Sequence, residues 1–237
     1  VSPVEDKMKI TTVLLDAGGV ILDESEDEKS RVRVAVEVLS GVVPGYSAET
    51  LYGDLDEAIE GFCSRVLAYV IWKYARPDRD LFESLQEDFR SRWRPNRPPL
   101  RIMPGFREEA EKIARDFRIG IAGQYGEALL ELLKEESLLD LFTYRFTQDD
   151  FDITKPDPRY LEQIARACGV DPGECVMVGD RIDNDIIPAR QLGMKAILVR
   201  VGLHRNQQPR IPFEIPDAEI EGVEGLADAV RKVSRPA

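Results

Sequence analysis

Four charged side chains follow short apolar runs of the chain, a pattern typical of reactive groups at the ends of buried strands. Asp16 ends one such run, Lys155 lies in the turn KPDP, and Asp180 and Asp185 belong to the stretch GDRIDND. A carboxylate can attack phosphorus, other carboxylates can hold Mg²⁺, and a fixed lysine can neutralise the transferring group. These residue types predict a Mg²⁺-assisted displacement at phosphorus. Asp183, between the two paired acids, is expected to be solvated or to cap a helix.

Alternating apolar and amphipathic segments indicate the elements that must position these side chains. Strand patterns cover residues 11–16, 118–122, 144–147, 175–179 and 196–201, and helical patterns cover residues 106–117, 127–133, 159–168 and 222–233. Such alternation predicts a doubly wound α/β fold, with helices on both faces of a parallel sheet. Ligands bind at the carboxyl ends of the strands in these sheets. We therefore expect the charged residues to meet at that edge.

Residues 24–98 lack this alternation and predict a helical domain inserted into the α/β core. The core domain would then consist of residues 1–23 and 99–237. The proline-rich residues 94–99 cannot continue a helix, and they predict a linker back to the core. The inserted domain is thus expected to leave the core after the first strand and to return before the second.

The inserted segment contains its own helical patterns. Apolar residues from Leu51 to Val70 recur at helical spacing and predict one long helix, and a second helix is predicted near residues 81–93. Residues 32–38 alternate with a period of two, as a strand would. Their neighbours favour a helix, so we predict a helix there as well.

In the order and placement of its motifs, the sequence resembles the haloacid dehalogenase superfamily, in its branch with a helical cap inserted after the first motif. The resemblance covers almost the whole chain. Asp16 matches the family nucleophile and Lys155 the lysine of the third motif, while Asp180 and Asp185 match the acids of the fourth. It implies a Rossmann-like core and a cap domain. It also implies Mg²⁺ held by Asp16, the backbone carbonyl of Gly18 and Asp180, with Asp185 acting directly or through water.

Two positions depart from the pattern of the family's phosphatases. Gly18 stands where an aspartate normally protonates the leaving group and activates water, and Gly123 stands where a Ser or Thr normally contacts the phosphate. General acid–base assistance contributes about 10²–10⁴-fold to a rate, so esters with poor leaving groups would be affected most. Phosphate contacts at this position would have to come from backbone N–H groups at Gly123 and Gln124, or from the Gln124 amide.

Three functions therefore remain open. We favour hydrolysis of a small phosphorylated metabolite, with Asp23 or His204 as candidate substitutes for the missing proton carrier. A carbon–phosphorus or carbon–halogen hydrolase of the same fold would also lack the second aspartate. The phosphonate-cleaving type would need a cap lysine, either Lys29 or Lys73, and both are expected to be surface charges. The third possibility is a catalytically degenerate protein that binds Mg²⁺ and a phosphorylated ligand.

The composition narrows the class of partner. A net charge of −12 and a pI near 4.8 disfavour binding to nucleic acid or to an anionic membrane, but they allow a small anionic substrate. Three cysteines without metal-ligand spacing indicate neither a disulfide framework nor a zinc site. The sequence shows no membrane span and no signal peptide, so we expect a cytoplasmic location. No oligomeric state is predicted.

Overall fold

The computed structural model describes residues 9–235, which form two compact units. The core unit consists of the residues up to Asp23 and those from Leu100 onward, and the helical unit runs over Glu24–Pro99. None of the helices within residues 9–235 is both long enough and apolar enough to cross a membrane.

A five-stranded parallel sheet forms the centre of the core unit. Its strands are β1 (Thr12–Leu15), β2 (Arg118–Ile121), β3 (Cys175–Gly179), β4 (Lys195–Val199) and β5 (Ala218–Ile220), and their spatial order is β2-β1-β3-β4-β5. The direction in which strands are added reverses at β1, so the crevice at the carboxyl ends of β1 and β3 is the switch point of the sheet. The predicted doubly wound α/β fold is confirmed.

Both faces of this sheet are buried. The helices of the core unit are α5 (Phe106–Ala114), α6 (Glu127–Glu135), α7 (Pro158–Cys168), α8 (Ile187–Gln191) and α9 (Leu226–Val233). Val13 and Leu15 share one apolar cluster with residues of α5, α6 and α9. Leu14 points to the opposite face, because side chains alternate along a strand, and it is fully buried too. Because β1 is a central strand covered on both faces, the backbone of Asp16, which follows it, is held in a fixed position.

One predicted strand of the core is wrong, and one short strand escaped prediction. Residues 144–147 form no strand: Tyr144 makes a single bridge to Gly120. The chain then turns away because Thr147 and Asp150 form a capping box around a short 3₁₀ turn. Strand β5 was not predicted, since its three residues, Ala-Glu-Ile, are too few to establish a pattern of alternation.

Four helices make up the helical unit: α1 (Ser25–Ser40), α2 (Ala48–Glu60), α3 (Val66–Ala75) and α4 (Arg79–Trp93). Helix α1 packs against α2 and α4, and α3 packs against the same two helices. The helix predicted at residues 32–38 is confirmed as part of α1, where Val34 and Val38 are buried. Tertiary packing thus selects the helix over the strand-like alternation of this segment.

Two details of the helical unit differ from the prediction. The long helix through Leu51 and Val70 is two helices, because the chain leaves the helix at Gly61 and Phe62 adopts a left-handed conformation with φ of 55°. Both helices keep the apolar spacing since they pack against each other. The linker also contains one 3₁₀ turn at Arg94–Asn96, with proline in its first turn, where a missing N–H costs nothing.

Candidate active site

Asp16 lies immediately after β1, at the switch point of the sheet. Its backbone N–H donates to the carbonyl of Val178 at 2.9 Å, which ties this position to β3. Its carboxylate Oδ1 accepts hydrogen bonds from the N–H of Ala17 at 2.7 Å and from Nζ of Lys155 at 2.8 Å. The side chain is nearly buried and is held from two sides, so it is well oriented for chemistry at one edge.

Lys155 joins two carboxylates that come from different strands. Its Nζ lies 2.8 Å from Oδ1 of Asp16 and 2.6 Å from Oδ1 of Asp185, and its side chain is only 1% exposed. Burial alone would lower the pKa of this amine, but the two carboxylates outweigh burial and raise its pKa above the usual value. The lysine is therefore a permanent cation at this site.

Asp180 and Asp185 lie at the carboxyl end of β3, on a π-helical turn (Ile182–Ile186) and the residues before it. Asp185 is completely buried, and its Oδ2 accepts the N–H of Arg181 at 3.1 Å. Burial raises the pKa of Asp185 to about 7; Lys155 works in the opposite direction, and Asp16 adds to the rise. The Arg181 guanidinium also lowers this pKa, so two cations of the protein act on the Asp185 carboxyl.

Two glycines make space for the side chains of Asp185 and Asp180. A Cβ atom on Gly179 would lie 2.3 Å from Cγ of Asp185, and one on Gly19 would lie 2.9 Å from Cγ of Asp180. Gly19 also has a φ of +71°, which other residues rarely adopt. The acidic cluster is thus built into close-packed backbone.

The donor set fits a hard divalent cation. Asp16, Asp180 and Asp185 each offer one carboxylate oxygen, and these three atoms lie within 4.8 Å of one another. Oxygen ligands of this kind suit Mg²⁺. Lys155 pairs with Asp16 and Asp185, and a divalent cation would reduce the repulsion among the three carboxylates. Gly18 pairs with Leu22 through a backbone bridge in the turn after Asp16.

Gly123, where the family pattern has a hydroxyl residue, packs directly against the residue after Asp16. A Cβ atom on Gly123 would lie 2.3 Å from Cβ and 2.5 Å from the backbone N of Ala17. The buried Gly123 carbonyl accepts a hydrogen bond from Oη of Tyr160 at 3.2 Å. Gln124 follows at an intermediate level of exposure. A hydroxyl side chain therefore has no room at position 123 in this backbone.

Tyr160, on the first turn of α7, was missed by sequence reasoning. It is 1% exposed, and burial raises the pKa of its hydroxyl to about 12, which keeps that hydroxyl a hydrogen-bond donor. Asp157 caps the same helix by accepting the N–H of Arg159 at 2.9 Å, and Pro158 is its first residue, as predicted. The only sequence signal for Tyr160 was its position five residues after Lys155.

Asp183 is not solvated, in contrast to one of the two roles expected for it. It is 7% exposed, and it accepts hydrogen bonds from Arg181 and from Gln207. Burial would raise the pKa of this carboxyl, but the Arg181 guanidinium and the Gln207 amide hold it below the usual value. The middle acid of GDRIDND is therefore part of a buried polar network beside the cluster.

His204 and Asp23 were the candidates for the proton carrier that Gly18 cannot supply. His204 is buried, its Nδ1 has no hydrogen-bond partner within residues 9–235, and burial lowers its pKa to about 4. Asp23 is partly buried at the end of the first core segment.

In the helical unit, Lys29 is exposed as expected, whereas Lys73 donates to Asp54 at 2.8 Å and also pairs with Glu57.

The pairing of Lys73 bears on the phosphonate-cleaving alternative. Hydrogen bonds from Lys73 to Asp54 and Glu57 raise the pKa of its amine above the usual value. A Schiff base requires a neutral amine, and lysines that form one normally have a lowered pKa. Nothing in the surroundings of Lys73 favours that role.

Comparisons with known proteins agree with this architecture. A family model described as HAD-hydrolase-like matches residues 153–226. The glyceraldehyde 3-phosphate phosphatase of Methanopyrus kandleri is 26% identical over 254 residues, which cover 95% of this chain and 99% of the relative. The phosphoglycolate phosphatase of Nitrosospira multiformis is 27% identical, over 84% of this chain and 87% of its own. A crystal structure of a HAD phosphatase from Thermococcus onnurineus superposes with a TM-score of 0.56 at 26% identity, covering 93% of this chain and 98% of that one.

Proposed function

Because the chain belongs to the haloacid dehalogenase superfamily of hydrolases, we propose that it is a Mg²⁺-dependent phosphatase of small phosphorylated metabolites. The observation that carries the proposal is the position of Lys155 between Asp16 and Asp185, beside the three-carboxylate cluster. The names of relatives that match nearly the whole chain support a phosphate ester as the substrate.

Asp16 is the proposed nucleophile. One of its carboxylate oxygens attacks phosphorus, the P–O bond of the ester breaks, and the alcohol oxygen leaves with the electron pair of that bond. Water then attacks the aspartyl phosphate, inorganic phosphate leaves, and the carboxylate of Asp16 is restored. Lys155 supports both steps because its ammonium lies 2.8 Å from Oδ1 of Asp16 and orients this carboxylate.

Asp16, Asp180, Asp185 and the Gly18 carbonyl would hold the cation. Bound Mg²⁺ would supply positive charge against the oxygens of the transferring phosphoryl group. The protein's own contribution is to keep one oxygen of each of three carboxylates within 4.8 Å of the others, where they repel unless a cation joins them. Asp16 and Asp185 are buried, and Asp180 is half-buried.

The end of β2 supplies the proposed contacts to the phosphate. Within the residues the structure describes, no backbone carbonyl accepts the N–H of Gly123 or of Gln124. Tyr160 holds the Gly123 carbonyl, and in a planar trans peptide the next N–H points the opposite way. The N–H of Gln124 is thereby directed away from Tyr160, and it is available to an anion in place of the missing hydroxyl.

The glycine at position 18 determines which leaving groups we expect the enzyme to accept. Without a carboxyl group at this position, the alcohol must leave with little help from a general acid. An acyl or aryl phosphate needs little protonation of its leaving group, whereas an alkyl phosphate needs much. We therefore expect the enzyme to hydrolyse esters with good leaving groups best.

Phosphate release from acetyl phosphate, p-nitrophenyl phosphate, glyceraldehyde 3-phosphate and phosphoglycolate tests the proposal, with MgCl₂ or with EDTA. We expect release that requires Mg²⁺ in the wild type and falls to background in Asp16→Asn. Asp149→Asn changes an exposed acid and is the matched control. Activity that needs no metal and survives in Asp16→Asn would overturn the proposal. A silent wild type that is stabilised by Mg²⁺ with phosphate would instead identify a binding protein.

A further inference from the structure

We propose that Gln207 is a positioning residue for the acidic turn of residues 180–186, and that its buried amide sets the affinity of the site for Mg²⁺. The inference rests on the proposed function, because that function assigns Asp180 and Asp185 as metal ligands. Gln207 lies in the segment after β4.

Both polar atoms of the Gln207 side chain are used on this one turn. Its Oε1 accepts the N–H of Ile182 at 2.7 Å, and its Nε2 donates to Oδ1 of Asp183 at 3.0 Å. Gln207 is 2% exposed, so water cannot replace either bond. The backbone between the two metal-binding acids is therefore held by an amide from a different part of the chain.

The network continues from Asp183 to Asp185. Asp183 pairs with the Arg181 guanidinium through Nε at 3.2 Å and Nη2 at 2.5 Å. The backbone N–H of Arg181 donates to Oδ2 of Asp185 at 3.1 Å, and the Arg181 carbonyl accepts the N–H of Asp185 at 3.0 Å. A shift of Asp183 would move Arg181, and a shift of Arg181 would turn the Asp185 carboxylate.

Gln207 is itself firmly anchored. Its N–H donates to the carbonyl of His204 at 2.9 Å, and its carbonyl accepts a hydrogen bond from the Arg200 guanidinium. Arg200 follows β4 and is nearly buried, and it pairs with Glu219 of β5 at 2.9 Å. Through these bonds Gln207 links the ends of β4 and β5 to the acidic turn.

The chemistry of the two contacts requires an amide. A glutamate at position 207 could still accept the N–H of Ile182, but it would place a second oxygen against the Asp183 carboxylate, which repels it. A leucine would leave the buried N–H of Ile182 without the Gln207 oxygen, and Oδ1 of Asp183 would keep only its hydrogen bond from the Arg181 guanidinium among these contacts. Partners that orient metal ligands typically change metal affinity about 10–100-fold when they are removed.

Calorimetric titration of the purified protein with MgCl₂ tests the proposal without relying on turnover. We expect the Kd for Mg²⁺ to rise about 10-fold or more in Gln207→Glu and in Gln207→Leu. Gln208→Glu and Gln208→Leu are the matched controls, because Gln208 is exposed and its amide donates to the Asn206 carbonyl and not to the acidic turn.

The outcomes separate this inference from the proposed function. A Mg²⁺ affinity that is unchanged in folded Gln207→Glu, or a wild type that binds no Mg²⁺, would overturn the positioning role. A wild type that binds Mg²⁺ but releases no phosphate would overturn the proposed function alone. If Gln207→Leu fails to fold by circular dichroism, Gln207→Glu and its control Gln208→Glu still decide the matter.

Discussion

The backbone of Gly123 lies so close to Ala17 that a Cβ atom on the glycine would be 2.3 Å from Cβ of the alanine. This contact joins the end of β2 to the residue after Asp16, and it explains why no hydroxyl side chain stands at position 123. The absence of the hydroxyl is thus a property of the backbone path, and a single substitution cannot reverse it.

Gly123→Ser should therefore destabilise the protein. Overpacking of a close-packed interior typically costs about 1–3 kcal/mol, and a Cβ 2.5 Å from the backbone N of Ala17 falls in that class. Urea denaturation measures the loss. Ala17→Gly should not fully rescue the variant, since the backbone clash remains. Gly126→Ala, whose new Cβ would meet only Gln148 Nε2 at 3.7 Å, is the control. Equal stability of the two glycine variants would contradict the prediction.

Gly18→Asp should speed hydrolysis of alkyl phosphates more than hydrolysis of acetyl phosphate. A general acid contributes about 10²–10⁴-fold where the leaving group is poor, and much less where it is good. Initial rates on phosphoglycolate and acetyl phosphate measure the difference. Gly18→Asn has nearly the same shape but no proton to exchange, so it should not produce the gain. An equal change on both substrates would argue against a missing proton carrier.

Lys155→Met should destabilise the metal-free protein by about 3–5 kcal/mol, because it leaves the carboxylates of Asp16 and Asp185 buried without their cation. Thermal unfolding in EDTA and in MgCl₂ checks this, and Mg²⁺ should restore part of the loss. Lys195→Met breaks a half-exposed pair with Asp217 and should cost at most about 1 kcal/mol. Similar losses in the two variants would contradict a buried ion-pair cluster.

The single histidine should make stability depend on pH between about 4 and 6.5. Burial lowers the pKa of His204 in the folded protein to about 4 from an ordinary value of 6.5. At this group the unfolded chain therefore binds more protons in this window, so the contribution of His204 to the free energy of unfolding falls as pH falls through it, whereas the raised pKa of Asp185 acts in the opposite direction. At about 1.4 kcal/mol per pKa unit, the loss is at most roughly 3 kcal/mol.

Urea denaturation at pH 7.5 and at pH 4.5 measures this dependence. His204→Leu removes the titrating group, and the apolar side chain suits a position whose Nδ1 has no hydrogen-bond partner among the described residues. The variant should lose much less stability than the wild type over the same pH interval. An identical pH dependence in the two proteins would show that His204 does not titrate in this way.

Much of the architecture followed from local patterns. Apolar runs that end in Asp16 and Asp180 identified two central strands, and helical spacing identified α5, α6 and α7. The wrong strand at residues 144–147 and the divided helix near Phe62 share one cause. In both places a turn with its own side-chain or backbone hydrogen bonds interrupts a pattern that apolar spacing alone would continue.

The sequence by itself determined the α/β class, the order of the motifs and the residue types at the strand ends, because these depend on composition and spacing along the chain. Only the tertiary structure decided which groups meet: Lys155 with two acids, Tyr160 with Gly123, and Gln207 with the acidic turn. Gln207 is 25 residues from Ile182 in the chain. Such contacts depend on how strands and loops pack in space, and no local pattern records that packing.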